Sequence, residues 1–154
     1  MIHARRRPPE SADLGDLDQH VGYVLRRAQL AVFADFTAAQ SGLVARPGQF
    51  SVLAVIARNP GLSQSQLCDA LAIKRANLVA VIDHLESLEL VRRDPSRTDR
   101  RSNRLQLTAG GERALKKAVD DLAKHEARIT SLLGVTGRAA LMKQLAKLCE
   151  LGDG

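Results

Sequence analysis

Apolar residues at Leu17, Val21, Val24, Leu25, Ala28, Val32, Phe33 and Phe36 recur every three or four positions between Leu14 and about Gln40. That is the period of one helical face, and it predicts one long helix, roughly 40 Å at about 1.5 Å per residue. Gly42 supplies a stop. A chain of 154 residues builds a core too small to cover such a helix, so its surplus apolar surface predicts a partner subunit. Before it, residues 1–12 carry Arg5, Arg6, Arg7 and two prolines with almost nothing to bury, which reads as a flexible basic arm.

Pro47 suits the first turn of a second helix, with Phe50, Val52, Leu53, Val55 and Ile56 as its apolar positions and Asn59-Pro60-Gly61 as its breaker. Ser63-Gln64-Ser65-Gln66 has the form of a capping box: the Ser63 oxygen accepts the Gln66 amide while the Gln66 side chain reaches back to the cap. The short helix this starts is expected to bury Leu67, Ala70 and Leu71. After a tight turn near Ala72, another helix from about Arg75 to Leu88 turns Leu78, Ile82 and Leu85 inward. Two short helices separated by a few residues describe either a helix-turn-helix or an arbitrary helical hairpin.

The next stretch of chain separates the two. Leu90-Val91-Arg92-Arg93 and Leu105-Gln106-Leu107 are short strand-like runs around the turn-forming stretch Asp94-Pro95-Ser96-Arg97-Thr98-Asp99-Arg100-Arg101. Between Arg92 and Arg104 there are six arginines against two aspartates. A hairpin with so much like charge, placed directly after a helix-turn-helix, is a wing, and DNA phosphate is the counter-charge that relieves it. Thr108 then caps a helix from about Ala109 to Leu132, and Thr136 caps a last one ending near Leu148.

Composition agrees. Aromatic residues are only 3% of the chain, so the core is Leu, Val, Ile and Ala, and a net charge of +6 suits a polyanionic partner. No apolar run reaches the length needed to span a bilayer, and no apolar stretch comes after the charged start, so no membrane association and a cytoplasmic location are expected. Cys68 and Cys149 form no C-x-x-C pair, and His20, His84 and His125 are scattered without metal-ligand spacing. Neither a metal site nor a cofactor is expected. With no G-x-S-x-G, phosphate loop or dinucleotide turn, an enzyme is not expected either.

In this order of elements the chain resembles the MarR family of bacterial regulators. The wing pattern D-x-R-x-x-x-L-x-L-T is present as Asp99, Arg101, Leu105, Leu107 and Thr108, and residues 62–67 and 73–79 look like that family's DNA-reading segment. The resemblance implies a mainly α fold with a small β-wing: a single winged helix domain over residues 13–154, with dimerisation helices at about 14–41 and 109–150 and a DNA-binding lobe at about 47–108. It further implies an obligate homodimer on near-palindromic double-stranded DNA, half-sites about one helical turn apart. Members typically repress nearby genes and leave DNA when a small molecule binds, often an aromatic acid; residues 73–83 are similar to members that answer aromatic acids or their CoA thioesters. The sequence departs from the family at two positions. Glu89 replaces a usual Gly, which costs about 1 kcal/mol if that residue is left-handed. Lys74 stands where Ser or Thr usually caps, a cation opposing the helix dipole that a phosphate would reconcile.

The expected DNA contacts are Ser63, Gln64, Lys74, Arg75 and Asn77 on the helix-turn-helix, with Arg97 and Arg100 at the wing tip. Arg75 can chelate guanine, Asn77 adenine, and a minor groove attracts arginine. The plainer reading of each is an exposed polar position. Asp99 and Arg101 have the spacing of a pair that shapes the hairpin. In the resembled family the ligand site lies between the dimer helices and the DNA-binding lobe; Arg26, Arg27 and Arg46 fall on segments that border it, as anion contacts or as solvated arginines. Two other functions stay open: a winged helix that binds DNA or protein without an effector, and a thiol-based redox sensor using Cys68 or Cys149.

Overall fold

The computed structural model describes residues 15–95 and 103–152. The chain divides into two compact units, Met1–Val32 and Phe33–Gly154. In the first, Leu17–Gln19 make a single tight turn and helix α1 begins at Val21, ending at Ala39 in the second. The helix expected from Leu14 therefore starts later. His20 takes an extended backbone with φ −88° and ψ 126°, and its ring Nδ1 bonds the Asp16 carbonyl at 2.9 Å. A polar side chain that bonds nearby backbone competes with the helical ladder, as His20 does here. Leu17, Val21, Val24, Leu25 and Leu30 are exposed by 41 to 65%.

The second unit continues with α2 (Pro47–Arg58), β1 (Leu62–Ser63), α3 (Gln64–Leu71), α4 (Arg75–Ser87), β2 (Val91–Pro95), β3 (Asn103–Leu107) and α5 (Ala109–Cys149). The strands form an antiparallel sheet in the order β1-β3-β2, with Leu62 opposite Leu105 and Val91 opposite Leu107. The pair β2–β3 was expected. Strand β1 was not: two residues carry no period, and they become a strand only where β3 passes beside them. Helix α5 breaks at Gly134, whose φ of 71° and ψ of 162° are non-helical. The expected gap between Leu132 and Thr136 is thus one residue in a left-handed conformation that favours glycine.

One core joins these pieces. Val52, Leu53 and Ile56 from α2, Leu67 from α3, Leu78, Ile82 and Leu85 from α4, and Leu105 from β3 are each at most 1% exposed. Ala70, expected inside, is exposed because α3 is short and docks along its Leu67–Leu71 edge only. The Ser63 box forms as expected: Ser63 Oγ accepts the Gln66 N–H at 3.3 Å and Gln66 Oε1 accepts the Ser63 N–H at 2.9 Å.

Helices α3 and α4 end alike. At the first, Ile73 N–H donates to the Cys68 carbonyl and Ala72 N–H to the Asp69 carbonyl; at the second, Leu90 donates to Leu85 and Glu89 to Glu86. These are Schellman closures, which put their penultimate residue in the left-handed region: Ala72 has φ 50° and Glu89 φ 56°. The two closures turn the chain just before and just after α4.

Candidate nucleic-acid interface and ligand cleft

Leu78, Ile82 and Leu85 recur at four and three residues and pin one face of α4 in the core. At its N-terminus, ahead of this buried stretch, Arg75 and Asn77 are exposed, with Lys74 exposed at the N-cap. The Lys74 carbonyl accepts the Asn77 and Leu78 amides at 3.0 and 3.1 Å, but its side chain makes no capping bond. The first amides of α4 are therefore not capped by that side chain, an arrangement open to a phosphate oxygen. Ser63 and Gln64 are half-buried at the start of α3. The Ser63 oxygen is already an acceptor in its capping box, so only its hydroxyl proton remains for a phosphate.

The arginines of the hairpin, alike in sequence, take different roles in the structure. Arg92 donates to Gln106 Oε1 at 2.7 Å and pairs with Asp94 at 3.2 Å. Arg93 turns to α4 and binds Asp83 and Glu86. Arg104 donates to the Gly61 carbonyl at 3.0 Å. Arg97, Asp99, Arg100 and Arg101 lie outside the described residues.

A cleft of about 1080 Å³ opens in the second unit, lined by Phe33 and Thr37 of α1, Arg46 to Gln49 at the start of α2, and Ala80, Val81 and His84 of α4. Arg46 and His84 are the ionisable groups among these described residues, with no carboxylate between them. Gln49 is occupied: its Oε1 accepts the Ala45 and Arg46 amides at 3.0 and 3.1 Å. The other two arginines expected at a ligand site, Arg26 and Arg27, lie on α1 within the first unit, where the Arg27 guanidinium sits 5.9 Å from the Tyr23 ring centre. His84 was missed because a lone histidine in a helix carries no signal of what it faces.

Sequence reasoning also missed the polar groups that anchor α5. Asp121, 2% exposed, accepts Ser41 N–H at 3.0 Å and Ser41 Oγ–H at 2.7 Å. Those two bonds, then Lys124 at 3.0 Å, hold its carboxyl well below the usual carboxylate range. His125, 3% exposed, donates from Nδ1 to Asp35 at 2.6 Å and sets its ring edge-on to Phe36. Arg128 grips the same carboxylate at 2.8 and 3.0 Å, and with His125 it lowers the Asp35 pKa. Cys68 is half-buried and Cys149 exposed, both as free thiols.

Comparison with known proteins matches this arrangement. The MarR family profile matches residues 41–102. A Thauera aromatica protein named for transcriptional regulation of the hcr operon is 34% identical over 96% of this chain and 92% of its own length. The chain belongs to the MarR family. The transcriptional repressor CouR bound to a 23-mer DNA duplex superimposes with a TM-score of 0.83 at 41% identity, covering 91% of this chain and 99% of CouR. CouR bound to p-coumaroyl-CoA gives 0.84 at 38% identity, over 90% and 98% of the two chains. PcaV of Streptomyces coelicolor, at 22% identity and a TM-score of 0.82, shares the fold, covering 90% of this chain and 97% of its own. This MarR-family chain is a winged-helix transcriptional regulator and not an enzyme. No helix among its described residues is long and apolar enough to cross a membrane.

Proposed function

We propose that this regulator is a cytoplasmic homodimeric repressor that reads a near-palindromic duplex through α3, α4 and the wing, and is released by an aromatic acyl-CoA thioester. One observation carries the reading: α4 serves two surfaces at once. Its N-terminus offers Arg75 and Asn77 to solvent, while Ala80, Val81 and His84, one to two turns later, wall the cleft. A ligand there touches the element that meets DNA, which is what a ligand-dependent change in DNA affinity requires.

The chemistry of the cleft agrees. Its volume of about 1080 Å³ lies just above the usual range of small-molecule sites, roughly 300 to 1000 Å³, room enough for a large ligand. Phe33, Leu43 and Val81 suit an aromatic acyl group. Arg46 and His84, with no carboxylate among the described lining residues, suit phosphate or carboxylate oxygens. CouR, solved on DNA and with p-coumaroyl-CoA, supports the same pairing of partners. The dimer is supported by apolar side chains facing solvent: Val21 at 65% in the first unit, and Leu132, Val135 and Met142 at 84, 77 and 57% in the second. The DNA contacts in this reading are Lys74, Arg75 and Asn77 at the start of α4, Ser63 and Gln64 at the start of α3, and Arg97 and Arg100, with Asp99 and Arg101 in a supporting role.

Fluorescence anisotropy on labelled DNA from upstream of the gene tests this. Binding is expected to be salt-sensitive, with a log–log slope of about −0.9 per phosphate contacted, and undone by p-coumaroyl-CoA or a related thioester. Binding that no acid or thioester alters overturns the ligand-responsive reading in favour of an effector-free winged helix. A response to oxidant that Cys68→Ser and Cys149→Ser abolish favours a thiol sensor.

A further inference from the structure

We propose that Arg93 is a positioning residue for DNA reading: from the root of the wing it clamps α4 and sets the angle at which that helix meets the duplex. The inference rests on α4 as the reading helix. Side chains alternate along β2. Val91, 2% exposed, faces the core, and Arg93, two residues on, shares its side, while Arg92 and Asp94 point the other way and pair with each other. Arg93 is accordingly only 19% exposed at its side chain. One guanidinium nitrogen donates to Asp83 Oδ1 at 2.5 Å and the other to Glu86 Oε2. Asp83 and Glu86 are three residues apart, one above the other on the same face of α4.

The clamp adds what the core cannot. Leu78, Ile82 and Leu85 hold α4 by apolar burial, which is non-directional and tolerates small rotations of a helix about its axis. A planar fork held between two carboxylates fixes rotation and tilt together. It also neutralises two acidic groups on the helix whose N-terminus must approach phosphate. In the hairpin, then, Arg93 acts on DNA through α4 rather than by touching it.

The test measures binding of the full-length protein to its operator duplex and to a scrambled duplex over a range of KCl. The proteins are wild type, Arg93→Ala, Arg93→Lys, Asp83→Asn/Glu86→Gln and the triple variant with Arg93→Ala. Arg93→Ala is expected to weaken operator binding about tenfold, the scale of one charge-assisted hydrogen bond, and to leave the salt slope unchanged. Lysine keeps the charge without the fork and falls in between. The sign of the carboxamide variant is decisive. It makes the protein more positive, yet it is expected to lose operator affinity, and the triple variant to be no weaker than Arg93→Ala. Tighter operator binding by Asp83→Asn/Glu86→Gln overturns the clamp, because the carboxylates would then only repel DNA. So does an Arg93→Ala loss that is equal on both duplexes with a salt slope shallower by about 0.9 per lost contact, the signature of a phosphate contact. Should wild type bind both duplexes equally, the DNA-reading assignment falls, and the clamp's role with it. Should Arg93→Ala fail to fold, the near-isosteric carboxamide variant decides alone by the same sign.

Discussion

Gly111 is the residue whose replacement tests the packing most sharply. It is the third residue of α5, where its N–H donates to Thr108 Oγ1 at 2.9 Å. A β-carbon built there stands 2.0 Å from the Leu90 carbonyl oxygen and 3.0 Å from its carbon. An ordinary C···O approach is about 3.3 Å, so Gly111→Ala must displace backbone by more than an ångström. That backbone is already engaged, since the same carbonyl accepts the Thr108 N–H at 3.1 Å and Leu90 is 2% exposed. Overpacking costs about 1–3 kcal/mol, here at the upper end because the obstacle is main chain. Better helix propensity returns at most about 1 kcal/mol. The net is a loss of about 2 kcal/mol, or roughly 4–8 °C in Tm for a chain of this length. Gly137→Ala, whose β-carbon meets only Leu133 Cβ at 3.6 Å, keeps the small gain without the clash. Thermal unfolding followed by circular dichroism, at one protein concentration because dimerisation shifts Tm, reads both. Opposite signs are expected within the same helix. A Gly111→Ala protein that melts at or above wild type refutes the reasoning.

Three further outcomes are expected. Glu89→Gly relieves a left-handed φ of 56° and stabilises by about 1 kcal/mol, seen as a higher urea midpoint at unchanged slope. Asp121→Asn lowers Tm at neutral pH. The Asp121 pKa in the folded protein lies below its ordinary value of 3.8, so the stability it contributes is present above that pH and is lost as pH falls through the folded-state value. The Tm gap between wild type and Asp121→Asn therefore narrows on acidification below about pH 4, and a gap that widens contradicts the assignment. Arg46→Ala, which removes a cation from the cleft, raises the concentration of acyl-CoA needed to release DNA by about tenfold in an anisotropy titration. An unchanged midpoint removes Arg46 from the ligand site.

Much of the architecture was legible along the chain because its signals act within one or two turns. The three- and four-residue spacing of Leu78, Ile82 and Leu85 predicts α4 and its buried face together. The Ser63–Gln66 box and the Thr108 cap are bonds between residues three apart, and both form. The wing strands β2 and β3 are predicted by two short strand-like runs on either side of a turn-forming stretch. His20 shows where the same reasoning overreached, since periodicity alone does not register a side chain that bonds its own backbone and delays the helix.

What only the tertiary structure decided depends on residues far apart in sequence. Asp121 is an ordinary helical aspartate until Ser41, 80 positions earlier, donates to it twice. Asp35 meets His125 and Arg128 across 90 and 93 residues. Gly111 looks like one more glycine at a helix start; the Leu90 carbonyl leaves no room there for a β-carbon without a backbone shift. Strand β1 exists because β3 lies beside it, and His84 belongs to the cleft because α1 and α2 supply the other walls. Arg92, Arg93 and Arg104 are alike in the sequence. Only the alternation of side chains across β2, and the arrival of α4 on one face of it, turns Arg93 toward two carboxylates. Local spacing determines which elements form and which face is apolar; which polar groups then meet depends on how those elements pack, and no short stretch of sequence contains that information.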